Sequence, residues 1–170
     1  MVRHTSSSVL VVRKPRWPLR RILLILRGDE TDEAAIQWLE RLARPAQADV
    51  FVLPIVPPVP AMYRYGSIYR DVLLQAQMLL AEETYSGAQI RRLGTLFTQW
   101  GVQDTLLLHD SAPKQRIVWA SLVSDCDLIL LRDEPYHWMH RTLLGELVNP
   151  LLRWAEKPVL VARDLFRAVE

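Results

Sequence analysis

Arg27 and Arg132 each close a run of apolar residues, Ile22–Leu26 and Leu128–Leu131, and acids follow both: Asp29 after the first, Asp133 and Glu134 after the second. A planar guanidinium at a strand end suits a phosphate or small carboxylate, which it holds through paired hydrogen bonds. The same arginines beside the same acids also satisfy one another as ion pairs. The residues alone leave both open, an anion site and a self-neutralised crevice.

Other chemistry is thinner. His137 and His140 stand three apart around Trp138 and Met139, with His109 and Asp133 as further donors. Neither the spacing nor the context is that of a metal site, and no metal is expected. The chain has no G-x-S-x-G elbow, no complete P-loop, and no H-x-G-H or S-G-G-x-D-S nucleotidyl-transfer motif. Its serines and histidines form no catalytic constellation, and the chain is read as not an enzyme. Cys126 is the single cysteine, which excludes an internal disulfide framework. Beside the apolar run that follows, it reads as a packed thiol, in keeping with a reducing, cytoplasmic compartment.

The elements that must position these residues come from the pattern of apolar runs. Strand-length runs alternate with segments of helical period, as in βαβ crossovers around a parallel sheet covered on both faces. Strands are expected at Ile22–Leu26, Asp49–Val56, Asp104–His109, Asp127–Leu131 and Pro158–Ala162. Helices are expected from Gly28 to about Ala43, stopped by Arg44-Pro45; from about Ile68 to Trp100, bent or interrupted at Gly87 and Gly94 and capped by Gly101; after a Ser111 cap, with Ile117, Ala120 and Val123 inward; and in a last segment ending near Ala155. Most tryptophans read as core, Trp17 and Trp138 excepted. At 170 residues, one domain burying roughly 70% of its unfolded surface is expected.

At these positions the chain resembles the universal stress protein family. Ile22 to Asp29 is similar to that family's first-strand signature and Asp127 to Leu131 to its fourth. Leu143-Leu144-Gly145 through Leu152-Arg153, then Lys157-Pro158-Val159-Leu160-Val161, is similar to its closing helix and strand. The resemblance covers residues 21–163, leaving an arm at 1–20 and a tail at 164–170. It implies a three-layer α/β/α fold with a five-stranded parallel sheet in order 3-2-1-4-5, and a crevice beyond strands one and four.

In nucleotide-binding members an aspartate closes strand one and a G-x2-G-x9-G-[ST] motif follows strand four. Here those positions fall on Arg27, then Arg132, Pro135, Gly145 and Glu146. Arg27 has no acceptor for a ribose, Pro135 has no N–H, and Glu146 sets a carboxylate where phosphates would lie. Arg27, Gly28, Arg132, Gly145 and Glu146 are therefore the residues of a degenerate crevice. ATP is not expected to bind in the family's usual way, and no cofactor is expected.

The arm carries a second signal. Ser8-Val9-Leu10-Val11-Val12-Arg13 echoes Pro158-Val159-Leu160-Val161-Ala162-Arg163. The family's fifth strand is an edge that commonly pairs with a counterpart, and an apolar edge needs a cover. An extra strand at about 8–13 is thus expected antiparallel to strand five, within the chain or by exchange in a dimer, with Val9 and Val11 against Val159, Leu160, Val161 and Ala162.

Residues 1–21 hold six basic side chains and no acid within a net charge of +2, so the rest of the chain is acidic, at −4. This basic linker is read as solvated, with neither nucleic acid nor membrane as partner. No run is long enough to span a bilayer or to form a signal peptide's core. The function expected is a cytoplasmic stress-response or signalling module acting as a homodimer or through another protein. The alternative is a sensor of a small anion or an atypical nucleotide at the crevice.

Overall fold

The structure is a computed structural model, and it describes residues 7–27, 32–55, 77, 85–109, 113–133 and 147–163. One six-stranded sheet runs through it: β1 (Val9–Val11), β2 (Arg21–Leu26), β3 (Asp49–Pro54), β4 (Asp104–Leu106), β5 (Leu128–Arg132) and β6 (Val159–Ala162). The spatial order is β1-β6-β5-β2-β3-β4. Every pairing is parallel except β1 with β6. Counted from β2, this is the expected order 3-2-1-4-5 with the extra antiparallel edge.

β2 reads as an unbroken apolar run because both of its faces are covered. Ile22, Leu24 and Leu26 meet α1 (Glu33–Ala46) and α2 (Tyr85–Trp100). Leu23 and Ile25 meet α3 (Pro113–Val123) and α4 (Val148–Trp154). Side chains of this kind each contribute about 1.5–3 kcal/mol when fully buried, and this double-sided core fixes the strand ends that matter below.

Four local expectations are corrected. Pro45 does not stop α1 but lies in its last turn. A proline there removes one amide donor, and the end is closed by other means: Gln47, at φ 48°, and Ala48 donate to the carbonyls of Arg44 and Ala43. This is the double bond of a Schellman ending. α2 runs unbroken from Tyr85 to Trp100 through Gly87 and Gly94. The burial of Leu93, Phe97 and Trp100 outweighs the roughly 1 kcal/mol that a helical glycine costs. Gly101 caps that helix as expected, at φ 68°.

β4 ends at Leu106, short of His109. Along this edge the Val50 N–H donates to the carbonyl of Gln103, and the Leu107 N–H donates to that of Val52. The next rung needs an N–H at position 54, which is proline. Finally, Ile117 and Ala120 are buried, whereas Val123 is 57% exposed. Steps of three drift around a helix, so residues six apart point about 120° away from each other.

Ser111 lies outside the described residues, as do the helix positions before Tyr85 other than residue 77. Among the described residues, no helix is long and apolar enough to cross a membrane.

Candidate functional site

The carboxyl ends of β2 and β5 form the first site. Ile25 pairs with Leu131, so Arg132 closes β5 beside Leu26, and Arg27 follows one residue later on β2. The register therefore sets both arginines at the carboxyl ends of adjacent strands, one residue out of step, at the topological switch point. Arg27 is only 9% exposed. Its backbone N–H donates to Oδ2 of the fully buried Asp32, at 3.0 Å. Asp32 immediately precedes α1, so this bond ties the end of β2 to the start of that helix.

Asp133 is engaged from the side of the closing strand. Its carboxylate pairs with Arg163, and its N–H donates to the carbonyl of Ala162 at 2.9 Å. Gly28, Asp29, Glu134, Pro135, His137, Trp138, His140, Gly145 and Glu146 lie outside the described residues. Among the described residues, no group of His, Cys, Asp or Glu is placed to hold a metal ion.

The second site is the arm. Val9, Leu10 and Val11 stand opposite Val161, Leu160 and Val159. Ser8 fastens the start of the strand: its Oγ accepts from Trp38 Nε1 at 2.9 Å and from the Arg163 N–H at 3.0 Å. The linker expected to be solvated is instead pinned to the protein. Arg13 donates to the carbonyl of Ala155 at 3.0 Å, and Lys14 meets Glu156 at 2.9 Å.

Arg16 is the centre of the attachment. Its guanidinium meets Asp125 Oδ1 and Asp127 Oδ1, each at 2.8 Å, and also donates to the carbonyls of Asp125 and Cys126. The other oxygen of Asp127 accepts the N–H groups of Arg20 and Arg21, at 2.9 and 3.0 Å. Arg21 and Lys157 add further contacts to Asp125. The hydrogen bond from Arg16, helped by Lys157, holds the Asp125 carboxyl below its ordinary range, and Asp125 in turn raises Arg16. The hydrogen bond from Lys14 lowers Glu156 in the same way.

Between the arm and α1 lies a groove of about 390 Å³, lined chiefly by Leu10, Val12, Trp17, Leu19, Trp38 and Leu160. The sequence reading missed this attachment. Its signal was the acidic cluster at the start of β5, Asp125 and Asp127, opposite in charge to the arm. Cys126 is fully buried, and burial pushes its thiol up to about 11. It is packed, as expected, and poorly suited to nucleophilic work.

The sequence profile of the universal stress protein family matches residues 18–163. The chain belongs to that family. This universal stress protein has the fold of several solved members. One from Lactobacillus plantarum is 20% identical, with a TM-score of 0.62 over 87% of this chain and 100% of its own. One from Burkholderia pseudomallei is 20% identical, with a TM-score of 0.57 over 88% and 100%. A third, described in complex with cAMP, is 13% identical, with a TM-score of 0.53 over 85% and 97%. No curated protein sequence matches this chain.

Proposed function

We propose that this universal stress protein is a non-enzymatic, cytoplasmic stress-response or signalling module. It acts through a dimer or another protein surface and does not take up ATP in the manner of the nucleotide-binding members. The observation that carries this reading is Arg27, almost wholly buried at the end of β2, at the place where the binding pattern has an aspartate. A guanidinium offers donors only and cannot accept from a ribose hydroxyl. The buried bond from its N–H to Asp32 fixes the backbone there independently of any ligand.

A second reading is favoured by one feature. Arg27 and Arg132 sit at the ends of adjacent strands, which suits a phosphate or carboxylate. The relative described with cAMP makes a phosphate-bearing ligand a reasonable probe.

Thermal shift with Mg·ATP, cAMP and inorganic phosphate separates the two. No shift with any of them supports the partner module. A shift with phosphate or cAMP that is lost in an Arg27→Ala, Arg132→Ala double variant supports the sensor. A shift with Mg·ATP at micromolar concentration would overturn the leading reading.

A further inference from the structure

The pairing of β1 with β6 has a hidden symmetry. Val9-Leu10-Val11 repeats Val159-Leu160-Val161 in sequence. The register sets Val9 against Val161, Leu10 against Leu160 and Val11 against Val159. Every residue of β1 thus faces the reverse-order counterpart of its own equivalent in β6. The two segments are related by a local two-fold axis through the Leu10–Leu160 pair. A β6 strand from a second molecule would meet this edge with the same residue types in the same register: valine on valine at both ends, leucine on leucine at the centre.

Because side chains alternate across a sheet, the matched register also preserves the faces. Leu160 belongs to the core on the α1 side, and Leu10 lies over the groove on that side. Val159 and Val161 belong to the core on the opposite side. A second copy's leucine would enter at the place of Leu10, and its valines at the places of Val9 and Val11.

We propose that β1 is an intramolecular stand-in for a second copy of β6. The arm keeps the chain monomeric by occupying the edge, and its release lets two molecules pair antiparallel through β6 about Leu160. Outside the grip of Arg16 on Asp125 and Asp127, the attachment fits a releasable cover. β1 has three residues, Leu10 remains 54% exposed, and the Lys14–Glu156 pair is three-quarters exposed on both sides. Exposed ion pairs hold weakly and are screened by salt. Beneath the arm, β6 is buried at all four positions, an apolar edge that does not stay open in water. Both molecules of such a pair would present the same surface, as a closed two-fold interface requires.

The test uses the full chain carrying Leu160→Cys, alone and with Arg13→Glu and Arg16→Glu, which loosen the arm and leave every strand intact. Opposed residues of an antiparallel pair stand close enough for a disulfide, and Cys126 is buried. With the arm held, the Leu160→Cys chain should sediment as a monomer and resist cross-linking by mild oxidation. With it loosened, mass should double and a 160–160 disulfide should form. A peptide of residues 7–13 added before oxidation should suppress that link at least tenfold.

A chain lacking residues 1–13 provides the second variant, with dimerisation reversed by the same peptide. A dimeric parent chain overturns the proposal, as do a monomeric loosened variant and a dimer without the 160–160 link. Failure of both variants to fold, by circular dichroism, also overturns it, because the arm would then be an integral strand.

Discussion

Arg16 and Asp127 meet at 2.8 Å where the linker crosses the start of β5, and the carboxylate is only 8% exposed. With its other oxygen Asp127 holds the N–H groups of Arg20 and Arg21. One buried side chain therefore fixes both the path of the arm and the entry into the central strand.

Replacing Asp127 with Ala should be the most disruptive single change at this end of the sheet. It removes two backbone partners and one arginine partner, a loss of about 2–3 kcal/mol for hydrogen bonds to a charged group. Urea unfolding should show a lower midpoint with an unchanged slope. Arg16→Ala, which leaves the two backbone bonds in place, should shift the midpoint much less. Equal effects would mean that the backbone bonds carry little.

The attachment should respond to acid and not to mild alkali. Arg16 lowers Asp125, and Lys14 lowers Glu156. A carboxyl depressed in the folded state contributes stability above its ordinary value, about 4, and loses it as pH falls through the lower folded value. Amide resonances of Val9–Val11 should therefore be constant from pH 8 to pH 5 and move towards unfolded positions only below about pH 4. Movement near neutrality would point to a different titrating group.

Much of this architecture is legible in the chain, for physical reasons that differ by element. β2, β5 and β6 are buried on both faces, so each announces itself as a continuous apolar run. β1 is legible only through its likeness to β6, since three residues carry no pattern of their own. Arg27 and Arg132 stand out because they end apolar runs. The bond from the Arg27 N–H to Asp32 was not legible, because no spacing rule marks an acid five residues on as the partner of a strand's last amide. The grip of Arg16 on Asp125 and Asp127 is long-range, and no local periodicity encodes such a pair. Charge complementarity between arm and domain was its one trace.

Cys126 should be silent in the folded protein. With its thiol pushed up to about 11, about one molecule in a thousand carries the thiolate at pH 8. Iodoacetamide should label it only on unfolding, so labelling against urea should trace the global transition. The raised value also means that its stability contribution is intact below the ordinary value, about 8.5, and declines as pH rises towards 11. Rapid labelling at pH 8 without denaturant would show local opening around β5.

Gly101→Ala should destabilise the protein by about 1 kcal/mol, the cost of a left-handed backbone for a residue with a Cβ. The site has φ 68°, and an added Cβ meets nothing within 4 Å, so the effect is one of conformation and not of crowding. The same substitution at Gly94, where the helix is regular and the space is also open, should stabilise by a few tenths to 1 kcal/mol. Thermal melting of the pair gives opposite signs if the reading is correct.

The two outermost strands, Val9–Val11 and Asp104–Leu106, are each three residues long, one added by the arm and the other cut short opposite Pro54. Among the described residues, an incoming chain would find only about 10 Å of backbone to copy on either flank. Both flanks thus offer a poor template for the open-ended stacking that leads to aggregates and fibres. The protein should tolerate crowded, concentrated conditions for as long as the arm stays in place. Proteolytic loss of a dozen residues would convert one blunt flank into an adhesive one.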